Sequence, residues 1–457
     1  MRHTKLALAV MASAILAACG SGSPSPGDQT LKVKFASQVS FGDSLSDVGS
    51  YKVGTVAALG GGKFTINGNN SAAAPALTGK IWIELLAAQF GLPAPCAAQT
   101  GLDGNAAKGF SVPVQNHTGC YAYGQGGARV TNPVGEGHKL TGSEVGALTV
   151  PVVTQVKNHL AAVGGKFKGD EIVFVWGGNN DLLVGLGGLS AAATAAGTAA
   201  GNTAFANSLV AQLAAGATNP QTAAAAIGLA LATENAKPTK TETSVVTAAV
   251  TAAVLAGNTS AALPATQKAI VDKAKADGAA AGAKAGADYA AANGPALVPA
   301  MVTAAKDISA LVKSQILANG AKYVVVNNIP DVANTPSGLS QSESSRALIN
   351  AMVKAFNDTL SAELGTTDSV LIIDTFAESH TQATNPAPYG LTNVKETACD
   401  LTPAKNPLSS SLACNASNLK AGDVSHYSYA DTVHPTPFLH QLLARYVAEK
   451  MVVKGWL

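Results

Sequence analysis

Apolar positions along this chain fall into two patterns. Short continuous runs end in glycine-rich or polar turns, in "QVSFGDS", "EIVFVWGGNND", "KYVVVNNIPD" and "VLIIDTFAE". Apolar, largely β-branched runs with no alternating polar position predict strands buried on both faces, as in a parallel sheet. "YAYGQGGARV", residues 121–130, predicts a further and weaker strand. Between the runs, apolar residues recur at helical spacing. "IWIELLAAQFG" sets Ile81, Leu85 and Ala88 on one face and stops at Gly91. "PAMVTAAKDISALVKSQILANG" stops at Asn319–Gly320, a C-cap signal, and "SSRALINAMVKAFNDTLSAEL" precedes the last strand. Strands alternating with helices predict an α/β layered domain.

From about Leu189 to Gly294 the alternation stops, and Ala, Thr and Gly dominate. Helices are expected here, because alanine is the best helix former, but it offers little side-chain surface to bury. Gly278, Gly282 and Gly286 stand four apart, a spacing that permits close helix contact. Two readings follow: a helical insertion, or a low-complexity spacer.

Composition explains the low charge. Of 457 residues only 13% are charged, against a usual figure of about a quarter, and much of the deficit lies in the Ala-rich region. Lys and Arg number 30 and Asp and Glu 28. No basic run interleaved with aromatics points to nucleic acid. The N-terminus reads as a targeting segment: Arg2 and Lys5, an apolar run, then "LAAC" ending at Cys19 and a Gly/Ser/Pro-rich tether. A plain signal peptide cut nearby is the alternative. After this leader no uninterrupted apolar run reaches the roughly 20 residues of a spanning helix. The remaining cysteines, Cys96, Cys120, Cys399 and Cys414, suggest two disulfides in an exported protein. The two local pairings are expected, Cys96 with Cys120 and Cys399 with Cys414. No cysteine pair has the close spacing of a zinc knuckle, and no metal is expected.

The chemistry centres on "SFGDSLSDVG", Ser40 to Gly49. A strand ending in Gly-Asp-Ser and followed by a helix places Ser44 at the C-terminal end of a parallel strand. Ligands bind there in open α/β sheets, and helix N–H groups favour negative charge. Ser44 is therefore a candidate nucleophile. It could also be a helix N-cap, and Asp43 and Asp47 could belong to a cation loop, although the alternating ligands of an EF-hand are missing. A serine nucleophile needs a base. Among eight histidines, His434 stands out in "YADTVHPTPF", three residues after Asp431. A turn can bring that carboxylate to one ring nitrogen. Asn180, in "VWGGNNDLL", can offer a side-chain amide to an oxyanion, and the glycine turn "YGQGGA" a backbone N–H.

Taken in order, "FGDSLSDVG", "YGQGGA", "GNND" and "DTVH" resemble the four sequence blocks of the SGNH, or GDSL, hydrolases, a family of esterases and lipases. The resemblance implies Ser44 as nucleophile, Asp431 and His434 as its partners, and an oxyanion hole from the Ser44 N–H, the Asn180 amide and the Gly127 N–H, with Gly126 the alternative. It departs at Ala122 and Ser50, where family members often carry Asn. It covers about 33–189 and 295–457. It implies a flavodoxin-like three-layer α/β/α sandwich with a parallel sheet, with 190–294 an Ala-rich helical insertion, needing no cofactor. The implied activity is cleavage of carboxylic esters through an acyl-enzyme, with acyl lipids or other fatty-acyl esters as substrates. A carbohydrate or peptidoglycan O-acetyl esterase and a non-catalytic surface lipoprotein are the alternatives. "LAAC" in turn resembles a lipoprotein signal, with 1–18 the signal peptide, 19–32 a tether and Cys19 lipidated. Gly20 after the cysteine suggests the outer membrane of a Gram-negative bacterium, with a periplasmic or secreted protein as the alternative. No obligate protein partner is expected.

Overall fold

The computed structural model describes residues 32–68 and 79–457. The signal peptide, Cys19 and nearly all of the tether lie outside the described residues. The strands are β1 (Gln38–Gly42), β2 (Gln99–Asp103), β3 (Ser111–Asn116), β4 (Ile172–Trp176), β5 (Tyr323–Asn327), β6 (Val370–Ile373), β7 (Asn393–Thr397) and β8 (Tyr427–Tyr429). The helices are α1 (Gly54–Ala58), α2 (Trp82–Gln89), α3 (Val152–Ala162), α4 (Asn179–Ala215), α5 (Pro220–Asn235), α6 (Glu242–Leu255), α7 (Pro264–Asn293), α8 (Leu297–Leu311), α9 (Pro336–Leu339), α10 (Glu343–Leu364), α11 (Thr375–Thr384) and α12 (Pro437–Lys454).

The four continuous apolar runs form one parallel sheet in the order β1-β4-β5-β6. The protein is thus mixed α/β, as its alternating pattern predicts. Both faces of the sheet are covered, which is why the strands carry no polar alternation. On one face Val39, Phe41, Val173, Val175, Val324 and Val326 pack with residues of α3, α8 and α10. On the other, Ile172, Phe174, Trp176 and Val325 pack with Trp82, Ile83 and Leu86 of α2 and with Val447 and Met451 of α12.

The expected strand at 121–130 does not form. Ser40 of β1 makes a single parallel bridge to Ala122, through Ser40 N–H to Tyr121 O (3.0 Å) and Tyr123 N–H to Ser40 O (2.8 Å). The glycines that follow turn the chain away before a ladder can extend. The residue therefore lies beside β1, on the edge opposite β4. The disulfide Cys96–Cys120 fastens this segment. The second expected pair, Cys399–Cys414, is also present.

The Ala-rich region is helical and forms an arm. Helix α4 starts beside the end of β4 and runs 37 residues, a rise of about 55 Å, so residues 189 and 190 lie within one helix. Helix α7 returns antiparallel to it. A Cβ built on Gly197 would stand 2.7 Å from Gly282 O, and one on Gly282 2.8 Å from Gly197 O, so the two backbones touch as the glycine spacing allows. Beyond this stalk, α5 and α6 join the distal parts of α4 and α7 in a small bundle around Leu209, Leu213, Ile227, Leu231, Val246 and Ala249. Among the described residues, two helical stretches are long and apolar enough to cross a membrane: α4, Asn179–Ala215, and the consecutive helical segments over Pro264–Leu317, which include α7 and α8. Length and composition alone produce this result. Neither helix contains the uninterrupted apolar run sought in the sequence, because small residues raise the mean hydropathy without one.

Candidate active site

Ser44 opens a single turn of 3-10 helix, Ser44–Ser46, directly after β1. The helix expected after β1 is this one short turn. It ends because Asp47 turns inward and accepts from the N–H groups of Gly49 (2.8 Å) and Ser50 (2.7 Å) and, across the site, from Gly126 (2.9 Å). Asp43 is fully buried and caps the turn through Leu45 N–H (3.0 Å). Its other oxygen accepts from Asn179 Nδ2 at 2.9 Å. Burial pushes the Asp43 carboxyl up to about 6, opposed by these donors. Both aspartates thus shape the turn, and their oxygens are occupied by protein donors.

His434 meets Ser44 across the end of the sheet, with Nε2 2.9 Å from Ser44 Oγ. Its Nδ1 lies 2.9 Å and 2.8 Å from the two oxygens of Asp431. Asp431 also accepts from the N–H groups of Val433 (3.0 Å), His434 (2.8 Å) and Ser411 (2.8 Å). Burial alone would raise its carboxyl. The imidazole and these donors outweigh burial and hold it well below the usual carboxylate range. An ionised carboxylate only accepts, so Nδ1 carries the proton and Nε2 is free to accept from the Ser44 hydroxyl. The three residues named from sequence therefore converge. Ser411 comes from the loop that Cys399–Cys414 closes. Phe64 tilts against the imidazole with ring centroids 4.9 Å apart.

The candidate oxyanion donors lie on neighbouring turns. Gly178, with φ of 104°, ends the β4 turn in the left-handed region that favours glycine, and α4 begins at Asn179. Asn180 is buried at the start of that helix and donates from Nδ2 to Ala128 O (3.0 Å), next to Gly127. One amide hydrogen of Asn180 remains free of that bond. The Gly126 N–H is occupied by Asp47, whereas the N–H groups of Ser44 and Gly127 have no acceptor among the described residues. This distinguishes the two glycines: Gly127 has the amide left to offer.

Several supporting residues were missed in the sequence. Asn179 and Asp181 look like parts of a polar turn. Asp181 binds Arg129 Nε (3.1 Å) and Val130 N–H (2.9 Å), tying α4 to the glycine turn. Gln155 of α3 clasps Gly42 at both backbone groups, each at 2.8 Å. Ser50, at a position where the family often has Asn, donates to Gly124 O (3.1 Å). An apolar cavity of about 70 Å³ is lined by Leu45, Trp176, Pro330, Tyr429, Val433 and Leu439 among others. Leu45 and Val433 are the chain neighbours of Ser44 and His434. Among the described residues, no group of three or more His, Cys, Asp or Glu is placed to hold a metal ion.

No protein-family model matches the chain, and no curated protein matches it.

Proposed function

We propose that this protein is a serine hydrolase of the SGNH type that cleaves carboxylic esters. The observation that carries the reading is the continuous Ser44–His434–Asp431 contact, 2.9 Å at Ser44 and 2.8 Å at Asp431. The sheet order supports it. The parallel order β1-β4-β5-β6, with the single bridge of Ala122 on the outer side of β1, is compatible with a flavodoxin-like arrangement, in which Ser44 would stand at the switch point.

In this reading Ser44 Oγ attacks the ester carbonyl as His434 Nε2 takes its proton. Asp431 holds and stabilises the imidazolium. The oxyanion is received by the N–H groups of Ser44 and Gly127 and the free amide hydrogen of Asn180. His434 returns the proton to the leaving alcohol, and a water activated by the same nitrogen releases the acid. The cavity beside Leu45 and Val433 receives the first carbons of the acyl group. Its small size, about 70 Å³, favours a second reading, removal of short acyl groups such as acetyl from a glycan. We further propose that Cys19 is lipidated and attaches the protein to the outer membrane.

Hydrolysis of a p-nitrophenyl ester by the wild type and by Ser44→Ala tests the reading. The variant is expected to lose at least about a thousand-fold in kcat. Equal rates for the two would overturn it.

A further inference from the structure

Phe64 stands between the two halves of the proposed catalytic site. Its ring and the His434 imidazole have centroids 4.9 Å apart and planes 37° apart. At that separation and tilt the rings meet face toward face rather than edge to edge. The ring also lies against Gly126, the residue before the candidate oxyanion donor Gly127. A Cβ built on Gly126 would overlap Cε2 and Cζ of Phe64, so the missing side chain of this glycine makes room for the ring. Tyr51 packs edge-on against Phe64, with centroids 6.1 Å apart and planes at 82°. Its hydroxyl donates to Gly126 O at 2.7 Å and so holds the same turn.

The segment that carries Phe64, residues 62–67, is fastened at both ends to the loop that gives Asp431 a donor. The Gly62 N–H donates to Leu412 O at 2.9 Å, and the Asn67 N–H to Cys414 O at 2.6 Å. The Asn67 side chain accepts from Lys63 N–H (3.0 Å) and donates from Nδ2 to Lys63 O (2.8 Å), closing the segment on itself. The same Nδ2 lies 3.2 Å from Ser411 O, and the Ser411 N–H reaches Asp431 at 2.8 Å. The Thr65 hydroxyl donates to Pro435 O at 2.8 Å, one residue from His434. The Lys63 ammonium pairs with Glu84 of α2 at 2.9 Å. A segment held in this way fixes its one aromatic ring, the half-buried Phe64, against the base.

We propose that Phe64 is a positioning residue for the base: it fixes the plane of the His434 imidazole and its spacing from the Gly126–Gly127 turn. Ser44 and the glycine turn stand beside β1, whereas Asp431 and His434 come from the loop before α12. Phe64 is the wedge where these two parts meet. Without the ring, the imidazole is free to tilt, and Nε2 points at Ser44 Oγ for a smaller share of the time. The ring also faces the charge that the imidazole carries once it has taken the serine proton, and an aromatic face attracts a cation within about 6 Å. Both effects act on the chemical step and not on substrate affinity. The part Phe64 plays in catalysis rests on the ester-hydrolase reading above; the ordering of the imidazole does not.

The test compares the wild type with Phe64→Leu, Gly126→Ala and the double variant, each in the full chain. Phe64→Leu keeps an apolar side chain and removes the aromatic face. It should lower kcat for p-nitrophenyl butyrate by about ten-fold and leave KM within about two-fold. Gly126→Ala pushes the ring aside and should cost a similar factor. In the double variant leucine leaves room for the added methyl, so the loss should not exceed that of the worse single variant. Proton NMR reads the base without substrate. The Nδ1–H that His434 directs at Asp431 gives a low-field resonance, identified by its loss in His434→Ala, and Phe64→Leu should broaden it through faster exchange with solvent. Circular dichroism and the melting temperature confirm that the variants fold. Unchanged kcat in folded Phe64→Leu, or a loss confined to KM, would overturn the proposal, as would additive losses in the double variant. A wild type that hydrolyses no ester removes the hydrolase reading. The positioning role then falls only if the resonance is as sharp in Phe64→Leu as in the wild type, or is absent from both.

Discussion

Asn179 Nδ2 donates to Asp43 Oδ2 at 2.9 Å, joining the turn before Ser44 to the turn that carries Asn180. Two segments 136 residues apart are thereby fixed to each other inside the domain. Neither residue touches the reacting groups, so both act by positioning. Asn179→Ala leaves a buried carboxylate short of a donor and should cost about 1–3 kcal/mol. It should also raise the Asp43 carboxyl further above its present value of about 6. The cost is then largest above that value, where Asp43 is charged, and shrinks toward pH 4, where the buried carboxyl is neutral in the folded wild type and the folded variant alike. Urea unfolding at pH 5 and pH 8 checks this; an equal cost at both would assign the bond no electrostatic role.

His159 shows the opposite sign. Both ring nitrogens are buried without a partner among the described residues, inside a cage of Phe41, Tyr121, Tyr123 and Phe167. Burial lowers it from 6.5 to about 4. Between those values the unfolded chain binds a proton that the folded chain refuses, so stability falls as pH falls through this window. His440, buried on α12 and lowered to about 3, extends the loss further into acid. His159→Phe should remove its share, on the order of 1–2 kcal/mol at pH 5 and less at pH 7.5. Melting curves at the two values measure the difference.

The Cys399–Cys414 bridge closes the loop that supplies the Ser411 N–H to Asp431. Replacing both cysteines by serine should cost about 2–4 kcal/mol of stability. If the loop orients Asp431, kcat should fall several-fold with KM little changed. A loss of stability with kcat unaltered would confine the bridge to a structural role.

Cys19→Ser should move the protein from the membrane fraction to the soluble exported fraction. Mass spectrometry of the mature N-terminus should find a lipid-modified cysteine in the wild type. A mature chain that begins elsewhere, with no lipid, would contradict the anchor.

The sheet was legible because its strands are buried on both faces, and Ile172–Trp176 reads as one apolar run. The Asp431–His434 pair was legible because its partners lie three residues apart on one turn. Asn179 was hidden because its partner Asp43 is remote in sequence, and an Asn-Asn turn looks the same whether or not it is tied down. The single 3-10 turn after Ser44 was hidden for the same reason, since Asp47 is drawn inward by Gly126. The weak strand at 121–130 failed because its glycines turn the chain away after one bridge to β1. The arm was readable as helix but not as a stalk and bundle. Alanine gives no amphipathic face, and only the glycine spacing pointed to the contact of α4 with α7.

The central claim is that Ser44 is a nucleophile activated by His434. Labelling with a fluorophosphonate, followed by mass spectrometry of the peptide containing Ser44, tests it most directly. A single adduct is predicted on Ser44, absent from Ser44→Ala and slowed by at least about a hundred-fold in His434→Ala. A folded wild-type protein that takes up no label at Ser44, or one labelled equally fast without His434, would contradict it.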